Sequence, residues 1–125
     1  MSAMSKLPEV VEIAYFDQAE SLSQHLPRRG RVLADCVDRS GRPWWLVSLD
    51  AAFEYATGTT SVLTQQVRSV DAFLISPRHV GDELGAPGDL HVHILVVPAG
   101  AQPSEHEINR DDYDHVAWGT CKVLA

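Results

Sequence analysis

The sequence predicts a strand-dominated α+β fold: a mostly antiparallel sheet, or a small barrel, of about six strands with one to three short helices. Three observations lead to this prediction. Apolar residues alternate with polar ones in several short runs, Gly and Pro residues separate many of these runs, and helical patterns are too few and too short for a doubly wound sheet. A length of 125 residues, 45% of them hydrophobic and 22% charged, is typical of one globular domain, which we predict to span residues 1–125.

Three strands are predicted in the first half of the chain, over residues 9–16, 31–38 and 43–49. The last two are joined by Arg39-Ser40-Gly41-Arg42, a sequence typical of a hairpin turn. On the second of these strands, Val32, Ala34 and Cys36 alternate with more polar residues, so we expect them to share one face.

Helical signals are confined to three short segments, residues 18–26, 77–85 and 105–112. Asp17 and Glu20 have the spacing of a capping box before the first segment, and Pro27 ends it. Ser76 and Pro77 resemble the N-cap and the first residue of the second helix. The third segment begins with a similar capping pattern.

Further strands are predicted over residues 70–76, 90–97 and 115–124, with a weaker strand-like run near 62–67. Residues 51–56 fit either a helix or a strand. The segment 90–97 is the clearest strand of all, because both of its faces become apolar toward Pro98. Such a pattern indicates a central strand that is covered on both sides.

The motif His91-Val92-His93 stands at the start of this central strand and is the strongest hint of chemistry in the sequence. Positions i and i+2 of a strand point the same way, so the two imidazoles are expected to share one face. Neutral imidazole is the commonest metal ligand, and a catalytic zinc needs a third ligand and an open position. The candidate ligands of a divalent metal such as zinc are His91, His93 and His115, with His79, His106 and the acids at 111–114 as other sources. Structural hydrogen bonding, or acid–base catalysis without a metal, are the alternatives for the same pair.

Two family patterns contain such a pair, and neither continues through this chain. Histidine-triad nucleotide hydrolases have a third alternating histidine, where this sequence has Leu95. Cupins have a glutamate four or five positions beyond the pair, where Val97 and Pro98 stand here. The motif therefore implies no family, and a metal-assisted hydrolase or isomerase is an alternative argued from the histidines alone.

Negative charge is concentrated in residues 82–115. Eight acidic residues and one arginine in this stretch give a charge of −7, which equals the formal net charge of the whole chain. Such asymmetry is an argument about partners. An acidic region repels nucleic acid and attracts a basic protein surface or a cation, although it also fits an ordinary solvated loop. Cation binding by the oxygen-rich run 111–114 is a weaker alternative, since the pattern of an EF-hand is absent.

The leading hypothesis is therefore a small, acidic, soluble binding module that engages a basic protein partner, with no nucleic acid or membrane partner. An immunity-type inhibitor of a toxic nuclease is one concrete version, and the absence of nucleophile and phosphate-loop motifs favours a protein that is not an enzyme. The partner-binding residues are expected to be Glu105, Glu107, Asp111, Asp112 and Asp114. Trp44 is a candidate anchor if its side chain is half-exposed, although packing in or beside the core is the preferred interpretation of this residue. Six histidines leave a third hypothesis open, in which association changes with pH near the ordinary histidine pKa of about 6.5.

Cys36 and Cys121 are expected to pack as buried thiols, although a bridge between them is not excluded. The N-terminal residues lack the pattern of a secretory signal, and no apolar run approaches the roughly 18 residues of a membrane span. A cytoplasmic location is therefore predicted, while the oligomeric state is left open.

Overall fold

The computed structural model describes residues 10–17, 26–57, 66–79, 81–85, 88–100, 103, 107–109 and 113–124. These residues form six strands: β1 (Val11–Asp17), β2 (Arg28–Val37), β3 (Pro43–Thr57), β4 (Gln66–Pro77), β5 (Asp89–Pro98) and β6 (Asp114–Val123). The prediction of a strand-dominated, antiparallel architecture is confirmed. The ambiguous segment 51–56 belongs to β3, which extends eight residues beyond the predicted strand end.

Each strand pairs antiparallel with the next, and β6 pairs with β1, so the sheet closes into a barrel. The closing pair runs from Val11 opposite Val123 to Asp17 opposite Trp118. The pairing of β1 with β2 is much shorter and joins residues 11–13 to residues 28–30. Most of β2 therefore extends beyond its paired segment with β1.

No helix is found in the part of the chain that the structure describes, so the predicted α component is not observed there. Residues 78–79 and 81–85, within the second predicted helix, form bends and turns instead. Gly81 and Gly85 have φ angles of 94° and 92°, and a left-handed residue cannot continue a right-handed helix. The described residues 26 and 107–109 are also not helical, while 18–25, 105–106 and 110–112 lie outside the description.

Among the described residues there is also no helix that is long and apolar enough to span a membrane.

Apolar side chains from all six strands fill the barrel. The inner cluster includes Val11, Ile13, Val32, Trp45, Val47, Phe53, Phe73, Ile75, Val92, Ile94, Val96, Ala117 and Cys121. The rings of Phe53 and Phe73 meet edge to face with their centroids 6.0 Å apart, an arrangement that aromatic pairs prefer. A small barrel has an interior just wide enough for such packing, so we look for function on its outer surface and in its loops.

A second apolar cluster, the outer cluster, lies on the outside of the sheet. It consists of Cys36, Trp44, Leu46, Ala72, Leu74, Leu95, Val97 and Ile108, with Ala34 and Tyr113 packed against it. Residues 99–113, the β5–β6 connection, supply Ile108 and Tyr113. The Ile108 N–H donates a hydrogen bond of 2.8 Å to the carbonyl oxygen of Val37, so the connection is fastened to the end of β2.

A bulge in β2 changes which of its side chains face inward. Val32 pairs with Val47 and packs inside the barrel, but the register then shifts by one residue at Leu33. Beyond the bulge, Ala34 and Cys36 belong to the outer cluster. The predicted common face of Val32, Ala34 and Cys36 is therefore wrong, because an inserted residue turns the following side chains to the other side of the sheet.

Candidate functional site

The outer surface of β5 changes from apolar to polar along the strand. Val92 and Ile94 pack inside the barrel, so the alternation of a strand places His91 and His93 outside, in line with Leu95 of the outer cluster. The predicted common face of the two histidines is thus present. Their surroundings, however, are not alike.

His93 lies between two indole rings and is 9% exposed. Its ring centroid is 4.1 Å from that of Trp118, its register partner on β6, and 6.4 Å from that of Trp44 on β3. The Nδ1 atom is buried. His93 therefore belongs to the packing of the outer surface, and the neighbouring rings shield it from solvent.

His91 is half-buried and faces a different histidine. Its ring centroid lies 5.8 Å from that of the exposed His79. The backbone holds the two together, because the Arg78 N–H donates a 2.8 Å hydrogen bond to the His91 carbonyl oxygen. The Arg78 guanidinium carbon lies 4.1 Å from the centroid of the Trp118 ring, in a cation–π contact. We call these four residues, His79, His91, Arg78 and Trp118, the histidine surface.

Within the described residues, no three His, Cys, Asp or Glu side chains are arranged as a metal site. The predicted ligands divide instead: His93 packs against Trp118, while His91 meets His79. His115 stands on β6 three residues before Trp118, roughly 10 Å along a strand. Its side chain and the whole of His106 lie outside the description. A metal site of His91, His93 and His115 therefore stays a prediction.

The side chain of Trp44 is 1% exposed, so the packing role preferred from the sequence is observed and the alternative of a half-exposed side chain is not. It packs with Leu46 and Ile108 in the outer cluster, so the β5–β6 connection covers the surface on which it lies. The sequence of β3 alone gives no sign of this cover. A role for Trp44 as a partner anchor stays a prediction.

The indole N–H of Trp44 donates a 2.9 Å hydrogen bond to Oδ2 of the buried Asp38. Oδ1 of Asp38 accepts three further hydrogen bonds, from the Ser40 N–H, the Ser40 hydroxyl and the Arg42 N–H. Burial acts to raise the pKa of this carboxyl, but the hydrogen bonds outweigh it and lower the pKa to about 2. Asp38 is thus an ionised carboxylate whose hydrogen bonds stabilise the β2–β3 turn. These bonds account for its burial, so we assign it a structural role.

The predicted acidic partner surface is described in part. Glu107 is exposed and forms a parallel bridge with Val37, next to the anchored Ile108. Three of the predicted acids lie outside the described residues, namely Glu105, Asp111 and Asp112. For Asp114, at the start of β6, the structure describes the backbone but not the side chain. The exposed acids Asp82, Glu83 and Asp89 belong to the separate connection between β4 and β5 and the start of β5.

Among the described residues, two open grooves mark the surface. One, of about 490 Å³, is called the β2 groove here and is lined by Val10, Arg29, Gly30, Arg31, Leu33, Ser48, Leu49 and Asp50. The other, of about 180 Å³, is lined by Arg42, Pro43, Ser76, Pro77, His79, Gly81 and Asp82. The second groove borders the histidine surface through His79.

Cys36 and Cys121 are free thiols, and both are buried, as the packing interpretation predicts. They lie on opposite sides of the sheet, Cys36 in the outer cluster and Cys121 inside the barrel. Burial raises the pKa of Cys121 to about 12. Burial, reinforced by the charge of Asp35, also raises the pKa of Cys36. Because the thiolate is the reactive form, neither residue has the character of a nucleophile.

The fold is thus a closed, six-stranded antiparallel barrel whose interior is filled by apolar side chains. Comparisons of this chain with protein-family models, with curated proteins and with solved structures found no match.

Of the histidine surface, sequence reasoning named His91 and His79 but missed Arg78 and Trp118. One signal was available, since Pro77 ends β4 immediately before Arg78 and His79. Pro77 pairs with Val92, so the residues that follow Pro77 come opposite those that precede Val92. The position of Trp118 depends on the register between β5 and β6, which no local pattern gives.

Proposed function

We propose that this protein is a non-catalytic binding module that engages a basic protein partner through the acidic β5–β6 connection. The single observation that carries the proposal is the anchoring of that connection on the outside of the barrel. Ile108 is 4% exposed and packs in the outer cluster, whereas Glu107 beside it is exposed. Within the described part of the connection, the exposed Glu107 is thus held close to the barrel surface by its buried neighbour and by its bridge to Val37.

The negative charge of this surface gives it a preference for a basic partner. The stretch 82–115 carries eight acids and one arginine, and surfaces of opposite sign mainly accelerate association and select the partner. An immunity-type inhibitor that masks a basic nuclease is one version of such a module. We keep the cytoplasm as the predicted place of action.

The test compares two variants with the same change in net charge. Asp111→Lys, Asp112→Lys and Asp114→Lys together reverse the acidic connection, and Glu12→Lys, Asp35→Lys and Glu54→Lys reverse three acids on strands elsewhere. Affinity capture on the unaltered protein supplies the basic partner, and its association rate with each variant is then measured over about 0.05–0.5 M salt.

We expect the first variant to associate at least about tenfold more slowly at low salt and to lose most of its salt dependence, since rim charges act on the association rate. The second variant is expected to stay within about threefold of the unaltered protein. Equal losses in both variants would show that net charge alone matters, and unchanged rates in both would remove the connection from the interface. Either result overturns the proposal.

A second candidate function is metal binding at the histidine surface, favoured by the 5.8 Å separation of the His79 and His91 rings. Two imidazoles that share a zinc ion with Zn–N distances of about 2.1 Å have ring centroids roughly 5 to 6 Å apart. The pair of His79 and His91 is more accessible than the predicted pair of His91 and His93, because His93 is buried. A metal held there, with water in its open positions, would supply the chemistry of a metal-assisted hydrolase or isomerase.

Isothermal titration calorimetry with Zn²⁺ and with Ni²⁺ tests the second candidate. One ion is expected to bind per chain, and His79→Ala and His91→Ala are each expected to weaken binding at least about tenfold. His93→Gln, on the same strand but packed against Trp118, is the matched control and should leave binding unchanged. Loss of binding in His91→Ala and His93→Gln, but not in His79→Ala, would instead support the ligand pair that the sequence predicted.

A further inference from the structure

The edge of β2 that faces β1 is covered along only part of its length by the residues that the structure describes. Residues 28–30 pair with β1, and Val37 pairs with Glu107 of the β5–β6 connection. Between these two contacts lie residues 31–36, which pair with β3 along their other edge. At about 3.3 Å per residue, this interval is roughly 20 Å long, enough for an extended segment of five or six residues.

The backbone of this interval has groups that point toward the open edge. The Val37 carbonyl oxygen accepts its hydrogen bond from Ile108 on that side. The N–H and C=O of one residue in a strand point to the same edge, and residues two apart point the same way. The main-chain groups of Asp35 are therefore directed to the same edge as those of Val37, where an added strand would find them.

The β2 groove adjoins one end of this interval. Its apolar lining comes from Val10, Leu33 and Leu49. Leu33, the bulged residue, is 47% exposed, and Leu124, whose N–H bonds to the Val10 carbonyl oxygen, is 38% exposed. These two are the large apolar side chains most open to solvent in the described chain. Leu33 lines the groove itself, and Leu124 is hydrogen-bonded to Val10, another residue of its lining. An exposed apolar patch with a polar rim is a feature of interaction sites.

Arginines form the rim of the β2 groove. Arg31 is exposed, and the side chain of Arg29 is 63% exposed although its Nε lies 3.6 Å from a Glu12 carboxylate oxygen. Asp50, the acid that lines the groove, lies 4.0 Å from Arg28 and is partly balanced by it. The rim therefore favours a ligand with negative charge.

We propose that the β2 groove and the adjoining edge of β2 bind an extended acidic segment of a partner protein as an added strand. Main-chain hydrogen bonds to the edge of β2 would supply affinity, as in other cases of strand addition. An apolar side chain of the segment packs on Leu33, and an acidic side chain reaches Arg29 and Arg31. This surface borders the acidic β5–β6 connection at Val37, but it takes a ligand whose charge is opposite to that of the connection's proposed partner.

The bulge and the arginines also make the site selective. Charged side chains and bulges on an edge strand discourage indiscriminate pairing with apolar strands. A segment that brings carboxylates to Arg29 and Arg31 gains binding energy from the same arginines that disfavour other strands. The difference between these two binding energies gives the specificity.

The probe for this proposal is a displayed library of random seven-residue segments, selected on the full-length protein. We expect the enriched segments to alternate apolar and acidic residues. A synthetic peptide of the enriched sequence is expected to slow hydrogen exchange of the Asp35 amide. Arg31→Glu and Leu33→Asp are each expected to weaken its binding at least about tenfold. The matched control is Arg39→Glu, which makes the same charge change as Arg31→Glu at an exposed position of the β2–β3 turn. This variant should bind the peptide with an affinity within about twofold of the unaltered protein.

Three outcomes overturn the proposal. Enrichment of basic segments, or no enrichment, removes the acidic strand as the ligand. Concentration-dependent self-association of the protein that Leu33→Asp abolishes identifies a second copy of the chain as the occupant. Binding that appears only after residues 1–9 are deleted assigns the site to the chain's own N-terminal segment. The acidic connection is unaltered in these variants, so each outcome is independent of the proposed function.

Discussion

Asp38 shows how one carboxylate decides the shape of a turn. Its two oxygens accept four hydrogen bonds from the hairpin that follows, including the one from the Trp44 indole. An aspartate in a sequence such as Asp38-Arg39-Ser40-Gly41 predicts a turn. The involvement of Trp44 could not be predicted, since it depends on burial of the indole under the β5–β6 connection.

We expect Asp38→Asn to lower the free energy of unfolding at pH 7 by about 2 kcal/mol, because the folded-state pKa is about 2 against 3.8 ordinarily. Since the folded pKa is the lower one, this stabilisation is present above about pH 4 and is lost as the pH falls toward 2. Urea unfolding at pH 7, 4 and 2 measures the difference. Asp35→Asn, at an exposed site on β2, is the control and should change stability by less than about 0.5 kcal/mol. A constant deficit of Asp38→Asn at all three pH values would contradict the prediction.

The histidine pair shows the limit of local patterns at the residue scale. Alternation correctly placed His91 and His93 on one face of β5, but it could not tell whether that face lies inside or outside the barrel. It also could not show that His93 would pack against Trp118, since Trp118 comes from β6. The partner of a side chain across a sheet depends on register, which long-range packing sets.

At the scale of elements, the β5–β6 connection acts as a cover for the outer surface. Its described residues Ile108 and Tyr113 pack against the outer cluster, which would otherwise expose Trp44 and Leu46. The sequence predicted a helix over 105–112 because Ser104 and Glu107 fit a capping box. The bridge between Glu107 and Val37 shows that this part of the connection pairs with a strand end instead, so tertiary contact overrides the local signal.

We expect Ile108→Ala to cost about 2–4 kcal/mol in the free energy of unfolding, because it leaves a cavity over the outer cluster. Acrylamide quenching of tryptophan fluorescence should increase as Trp44 becomes accessible, and urea unfolding gives the stability change. Leu33→Ala, at the exposed bulge, is the control and is expected to alter stability by no more than about 0.5 kcal/mol. Unchanged quenching in Ile108→Ala would show that other residues cover Trp44.

Gly119 permits the close approach of β1 and β6. A Cβ atom at this position would collide with the carbonyl oxygen of Ala14 on β1 and would lie 2.5 Å from Cδ1 of Ile94. The side chain of Ile94 is able to move, but the Ala14 oxygen is part of the closing strand pair. The glycine is therefore required by a backbone contact, which the sequence of β6 does not reveal.

Gly119→Ala is expected to destabilise the protein by about 1–3 kcal/mol, as overpacking does in a filled interior. Thermal or urea unfolding measures the change, and hydrogen exchange should show the loss concentrated in β1 and β6. The neighbouring Thr120→Ala, on the half-exposed outer side of β6, is the control. If Gly119→Ala were as stable as the unaltered protein, β1 and β6 would have to move apart without loss.

For the molecule as a whole, the sequence predicted the strands better than their arrangement. Alternation and turn residues sufficed for an antiparallel sheet or barrel, because both are local. The sequence could not decide between an open sheet and a closed barrel, since closure depends on the pairing of β1 with β6, which are separated by almost the entire chain. The same holds for the acidic stretch 82–115, which is continuous in sequence but belongs to two separate connections in the structure.

Barrel closure makes its own prediction about folding, because the two strand interfaces of β1 are unequal. β1 pairs with β6 from Val11 to Asp17, and the Leu124 N–H bonds to the Val10 carbonyl oxygen at 2.8 Å, more than a hundred residues away in sequence. With β2, its neighbour in sequence, β1 pairs at three positions. The larger interface is thus the one with the greater entropic cost of loop closure, and such non-local contacts slow folding.

A circular permutant that joins residue 124 to residue 10 through a short Gly-Ser linker, with new ends between Ser21 and Leu22, makes the larger interface local. We expect it to refold roughly three- to tenfold faster than a linear chain of residues 10–124, as followed by stopped-flow tryptophan fluorescence after dilution from urea. A second permutant with the same linker, but with new ends between Thr60 and Ser61, separates the strongly paired β3 and β4 and is expected to refold more slowly than the first. If both permutants refolded at the same rate, the closing of β1 on β6 would not belong to the rate-limiting step, and barrel closure would follow the folding transition state.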